Sequence, residues 1–300
     1  MSAIAVFGGS GFIGKNILNI SNQYINISLR DSDWKKQVND EEIWLNLVGK
    51  AHDHKGVATQ EDYDYVNVQL VKEIFQAFIL SKATTFIHIS SLAALEEFES
   101  NRPLSEEDEC HPVSWYGQSK RMAEKWLMEQ QLPANKKLII LRPPMVHGPG
   151  DKGNLGLLYK LIARGIPYPL AAFNNRRSFI SIDNFCYFIE QIINNKEKMK
   201  TGIYHIADDE PLSTGEIIEV ISRITGRNTW NIAIPKFLIQ RIAKIGDVIP
   251  IPLNTNRLRK MTSNLLISNQ HIKEILNIDQ LPITATDGLR KTIKSFSAID

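Results

Sequence analysis

The chain has 300 residues, 43% hydrophobic and 23% charged, enough apolar material for one large core or two smaller ones; disorder and fibre are excluded. Lys+Arg 35 against Asp+Glu 33 leaves a net charge of +2, scattered rather than gathered into a basic stripe, so nucleic acid is not an expected partner. Cys110 and Cys186 are far apart, without CxxC or a His pair, which argues against a disulfide framework or zinc site and for a reducing, cytoplasmic compartment. No apolar run approaches the roughly 20 residues that cross a bilayer, and the apolar start carries no basic leader, so no membrane is expected either.

Ile4, Ala5, Val6 and Phe7 predict a buried strand, Gly8, Gly9, Ser10 and Gly11 a turn, and Phe12, Ile13, Ile17 and Leu18 a helix. Further strands are predicted at 24–29, 43–48, 85–90 and 138–141. An amphipathic helix carries Val71, Ile74, Phe75 and Phe78; a second has Ser119, Met122, Ala123, Trp126 and Leu127 on its inner stripe. Short apolar strands alternating with helices imply an α/β fold with a doubly wound parallel sheet covered on both faces. Prolines and glycines crowd residues 143–156, where the seam is expected: 1–150 as a dinucleotide-binding half and 151–300 as a smaller mixed α/β lobe, a return to the first half being available near 178–206. The second half mixes short helices such as 217–225 with isolated strands such as 202–206.

Gly8, Gly11 and Gly14 stand between a predicted strand and helix, the context a dinucleotide pyrophosphate needs: glycine permits close backbone approach, and the helix N-terminus offers unpaired N–H groups. The competing reading is a glycine turn of purely structural purpose. Tyr116 and Lys120, four apart, share a helix face, and Ser91 ends a strand at the carboxyl edge of the sheet. An ammonium beside a tyrosine stabilises its phenolate and lowers its pKa, so Tyr116 could exchange protons with a sugar hydroxyl or carbonyl while Ser91 hydrogen-bonds the same oxygen. His52, His88 and His147 lack metal-ligand spacing and read as satisfied polar residues near the cleft.

The chain resembles the extended short-chain dehydrogenase/reductases, specifically the nucleotide-sugar epimerase/dehydratase branch. The resemblance rests on Gly9-Ser-Gly-Phe-Ile-Gly14, the segment 46–52, Tyr65-Val-Asn67, Ile89-Ser-Ser-Leu92, Tyr116-Gly-Gln-Ser-Lys120 and the segment 142–150, with Ser91 preceding Tyr116 by 25 positions. It implies a Rossmann-type sheet binding NAD or NADP through Gly8, Gly11, Phe12, Ile13, Gly14, Leu47, Tyr116, Lys120 and Pro143. It further implies Tyr116 as general acid/base, Lys120 on the nicotinamide ribose, and Ser91 orienting the reacting oxygen. Asn154 and Arg177 match residues contacting the nucleotide sugar, the arginine on its pyrophosphate, a role suited to a guanidinium fork; a solvated surface arginine is the competing reading.

The family has two strands between the glycine turn and the strand at 43–48, where only one is evident. Either 24–29 is the first of them, making Arg30 a reader of a 2′-phosphate or Asp31 of the ribose hydroxyls, or the adenosine pocket is trimmed. Phe7 and His147 also replace residue types common in the family. Leu92 and Ala93 stand where 4,6-dehydratases carry an Asp-Glu pair, which argues against dehydration. The resemblance alone implies a UDP-sugar 4-ketoreductase of surface-glycan biosynthesis, with an NAD-dependent 4-epimerase as the alternative and a catalytically idle NAD(P)-binding module as a reading of another class. A homodimer through the helices bearing Val71 and Tyr116 is implied by the resemblance.

Overall fold

The computed structural model describes residues 3–38, 40–51, 57–151, 153–166, 173–227, 234–249 and 254–297, without the side chains of 154, 256, 257 and 260. Its strands are β1 (Ile4–Phe7), β2 (Tyr24–Ile27), β3 (Ile43–Asn46), β4 (Thr85–Ile89), β5 (Lys137–Arg142), β6 (Met145–His147), β7 (Phe179–Ser181) and β8 (Gly202–His205). Six form a parallel sheet in the order β2-β1-β3-β4-β5-β8, while β6 and β7 pair separately. The helices are α1 (Phe12–Leu18), α2 (Trp34–Gln37), α3 (Gln60–Asp64), α4 (Leu70–Leu80), α5 (Trp115–Met128), α6 (Asn154–Ala163), α7 (Ile182–Asn194), α8 (Thr214–Thr225), α9 (Lys236–Gly246), α10 (Thr255–Thr262), α11 (Gln270–Leu276) and α12 (Ala285–Ser297).

Side chains along each central strand alternate between two apolar clusters. Ile4 and Val6, Ile87 and Ile89, Ile139 and Leu141 face α1, α7 and α11. Ala5 and Phe7, Phe86, Leu138 and Ile140 face α4 and Leu127 of α5. This is a strand's period of two with both faces covered, the physical reason these strands read in sequence as unbroken apolar runs. The order reverses between β1 and β3, because the chain leaves β1 for β2 and then crosses back to β1's other side. In doubly wound sheets ligands bind at that reversal, outside the carboxyl ends of the strands.

Three expectations need correction. Residues 202–206 are no isolated strand: β8 extends the large sheet, parallel to β5. Met122 is 45% exposed, because α5 is held by Ser119, Lys120, Ala123, Glu124 and Leu127, a stripe that includes polar side chains hydropathy ignores. The strands expected at 24–29 and 43–48 end earlier, at Ile27 and Asn46, where the backbone leaves its ladder to form the loops at the sheet edge. In the second half, Leu155, Tyr159 and Ile162 of α6 share a separate core with α8, α9 and α12.

Candidate active site

Four loops meet at the carboxyl edge of β1, β3, β4 and β5. After β1, Gly8 has φ +90°, a left-handed conformation that favours glycine, and the Gly11 N–H returns to its carbonyl at 3.1 Å. A Cβ on Gly8 would lie 2.9 Å from the Leu47 carbonyl carbon, and one on Gly14 2.4 Å from the Gly8 carbonyl oxygen and 2.6 Å from the Gly9 Cα. The turn therefore has no room for side chains, and α1 starts directly on it with Gly11 as N-cap, so the first-turn N–H groups of Phe12, Ile13 and Gly14 face outward. Such a cradle fits a pyrophosphate. The Phe12 ring reaches toward Gly148, Ile13 packs against the core, and the Pro143 carbonyl, after β5, accepts from Leu92 N–H at 2.8 Å.

Ser91 follows β4 and caps a short 3-10 turn, its Oγ accepting from Ala93 N–H at 3.2 Å, and its hydroxyl is near enough to the Tyr116 phenol to lower that group's pKa. Tyr116 is held in the first turn of α5, which Ser114 caps by accepting from Gly117 N–H at 3.1 Å. One turn further on, Lys120 is 3% exposed and its Nζ donates to the Ile89 carbonyl at 2.9 Å. A Cβ on Gly49 would come within 2.9 Å of that Nζ, so the loop after β3 also closes over the ammonium. The electrostatics differ from the expectation of a lysine-lowered tyrosine. Burial of the hydroxyl pushes the Tyr116 phenol up, Ser91 pulls it down, and Glu97 and Tyr63 push it up again. Lys120 is itself pushed down to about 8, mainly by burial, against the opposing pull of Glu124. Desolvation is the largest influence at both groups, and Lys120 is not among those acting on the phenol.

Two residues contribute in roles not assigned from the sequence. Asn67, fully buried in a π-helical stretch, Tyr65–Gln69, donates to Ser119 Oγ at 2.8 Å and to the Lys50 carbonyl at 3.1 Å, and accepts from Lys50 N–H at 2.8 Å. It ties the β3 loop to α5 beneath the Tyr116 turn; the Tyr65-Val-Asn67 motif was its signal, although a π-bulge has no periodicity to detect. Glu97 accepts from Val113 N–H at 2.9 Å and Ser114 N–H at 2.7 Å, fixing the entry to α5. Nothing in the sequence marks a carboxylate in a polar loop as buried.

The remaining candidates lie further out. The Arg177 guanidinium donates to the Phe98 carbonyl at 3.2 Å and the Ser263 carbonyl at 3.4 Å, where burial pushes its pKa down to about 10. Asn154 opens α6, and its side chain is outside the described residues. Arg30 is exposed after β2, the strand directly beside β1. The Asp31 carboxylate is occupied locally, by Asp33 N–H at 3.0 Å and Gln37 Nε2 at 2.5 Å. His88 and His147 are buried and only half satisfied: Nδ1 meets Asn46 Nδ2 at 3.2 Å in one and Thr292 Oγ1 at 2.9 Å in the other, and each Nε2 has no protein partner among the described residues. His52 is outside the described residues.

A family model, NAD dependent epimerase/dehydratase family, matches residues 4–207, the whole stretch from β1 to the end of the large sheet. The chain belongs to that family of extended short-chain dehydrogenase/reductases. Among curated proteins it is 25% identical to a UDP-glucose 4-epimerase from Vibrio cholerae, covering 98% of this chain and 95% of that protein. Among solved structures it superposes on a UDP-glucuronic acid 4-epimerase from Bacillus cereus in complex with NAD, with TM-score 0.77, 17% identity and 99% of each chain covered. It also matches RMD from Pseudomonas aeruginosa complexed with NADPH, with TM-score 0.75, 16% identity, 99% of this chain and 100% of the other. These two likenesses establish the shared Rossmann-type fold.

Proposed function

We propose that this member of the family is an NAD(P)-dependent oxidoreductase acting at C4 of a UDP-sugar, as a 4-ketoreductase. The observation that carries the reading is the Ser91–Tyr116–Lys120 set, which shares the carboxyl edge of the sheet with the glycine cradle. Reduced nicotinamide, when bound, supplies hydride. Gly8, Gly11 and Gly14, with the N–H groups of Phe12 and Ile13, would hold the dinucleotide phosphates, and Leu47 and Pro143 would flank it. Lys120 would hold the ribose, and Ser91 would orient the C4 oxygen. Tyr116, a neutral acid at working pH, would give its proton to that oxygen as negative charge develops there. Desolvation favours this acid form. Arg177 and Asn154 would take the sugar nucleotide. Arg30, exposed after β2, and Asp31 would lie at the adenosine end.

The Vibrio cholerae relative supports a second reading, 4-epimerisation with retained NAD. Dimerisation through α4 and α5 is part of the proposal; Leu80, Trp115, Met122 and Met128 are exposed on those helices. So is the division at residue 150 into a dinucleotide half and a substrate lobe, with the chain returning at 178–206.

The test is stopped-flow oxidation of NADPH and NADH by a UDP-linked 4-keto sugar, with mass spectrometry of nucleotide released on denaturation. Net cofactor oxidation by an initially empty protein supports the reductase. Near-stoichiometric bound NAD, with interconversion of C4 epimers and no net consumption, replaces it by the epimerase. Tyr116→Phe is expected to lower kcat about 10²- to 10⁴-fold with cofactor affinity retained; unchanged turnover in this variant removes Tyr116 from the chemistry.

A further inference from the structure

The lobe built on α6, α8, α9 and α12 turns apolar side chains outward where a solvated helix carries charge. On α9 only Ile239 and Ala243, one turn apart, are buried, whereas Leu238, Ile242 and Ile245 are 41–53% exposed, as is Ile249 just past the helix end, whose N–H still donates to the Ile245 carbonyl at 2.9 Å and so continues the turn. Their spacing of four, three and four residues makes them one continuous stripe. Phe237 and Val248 widen it at 57% and 87% exposure. On α6, which packs its other face into the same core, Leu157 and Leu161 are 64% and 44% exposed, beside the exposed pair Lys160 and Arg164. Arg241 and Lys244 flank the α9 stripe on the side of Phe237 and Val248, whereas the Lys236 ammonium lies over the Phe173 ring at 5.5 Å; residues 154–164 and 236–249 together carry five cations against one acid, Asp247. That acid is engaged by Thr255, through N–H at 2.9 Å and Oγ1 at 2.5 Å.

We propose that this lobe docks on an anionic lipid bilayer, with α9 lying in the interface. An apolar stripe flanked by lysine and arginine matches what such a surface offers, acyl chains below and negative headgroups beside them. A second copy on the same face fits poorly, because it would set like cations against one another. The contact is peripheral: no described helix is long and apolar enough to cross a membrane. Docking of this kind does not depend on which C4 reaction the cleft performs.

The full chain is sedimented with vesicles of phosphatidylglycerol and phosphatidylcholine in equal parts, and with phosphatidylcholine alone. Partition onto the mixed vesicles is expected, weakened by salt and absent from the neutral ones. Leu238→Glu with Ile245→Glu should lower it roughly tenfold or more, and Arg241→Gln with Lys244→Gln should remove its dependence on anionic lipid. Circular dichroism and turnover of soluble sugar nucleotide verify that both variants remain folded. The proposal is overturned if wild type does not partition, if it partitions equally onto neutral vesicles, if the variants bind unchanged, or if light scattering shows self-association that Ile245→Glu abolishes.

Discussion

Two arginines, one in each half of the molecule, are handled in opposite ways. Arg142, at the end of β5, is 1% exposed, and Glu124 of α5 answers its charge: Nε meets Oε1 at 2.8 Å and Nη2 meets Oε2 at 2.7 Å. Ser90 Oγ donates to the same carboxylate at 2.6 Å and Arg121 Nη1 at 3.1 Å. Burial pulls the Arg142 pKa down, but Glu124 more than offsets it and the net shift is upward. Arg177, shortly before β7, meets carbonyl oxygens instead, and burial alone pushes its pKa down to about 10. A carbonyl dipole satisfies a donor without neutralising a charge. The first arginine is therefore a pin joining β5 to α5, which carries Tyr116 and Lys120; the second retains electrostatic demand that a diphosphate can meet.

The sharpest way to break this contrast is Glu124→Ala, which strands a buried cation. Urea unfolding should register a loss of about 3–5 kcal/mol, and replacing the pair together by Leu and Met should recover most of it. Unchanged stability in Glu124→Ala would mean that the pair is not the pin described. Next comes Arg177→Ala. The proposed diphosphate contact predicts a loss of about 1.5–3 kcal/mol in UDP affinity, roughly 10- to 150-fold by calorimetry, with NADPH affinity and unfolding midpoint unchanged. Equal losses for UDP and NADPH would move Arg177 out of the sugar-nucleotide site. The smallest effect belongs to Arg259, which meets Glu99 at 2.7 Å with both side chains about half exposed. Arg259→Gln should cost less than about 1 kcal/mol and fade with salt; a larger cost would show that exposure is a poor guide to an arginine's role here.

Where one element sufficed, the sequence was legible. Gly8, Gly11 and Gly14 act through their own backbone and immediate neighbours, and Tyr116 and Lys120 share a face because both sit on one helix. That only one strand, β2, stands between α1 and β3 among the described residues could likewise be read from the short interval. The edge strand β8 was harder, because its partner β5 lies about sixty residues earlier and parallel pairing leaves no local pattern. Met122 was misplaced by an apolar stripe rule that does not know Lys120 and Glu124 are buried. The Tyr116 phenol was misjudged in direction for a related reason: its charge partner is visible in sequence, whereas its desolvation is not.

By itself the sequence determined the strand–turn–helix cradle, the alternation of buried strands with covering helices, and the residue types able to move a proton. These follow from steric limits on the backbone and from periodicities of two and 3.6, which are properties of neighbouring residues. Only the tertiary structure decided which charges are answered and which are left with carbonyls, that burial governs the Tyr116 phenol and the Lys120 ammonium, and which helix faces remain uncovered. Each of these depends on distances between segments remote in the chain, and desolvation is a property of everything packed around a group.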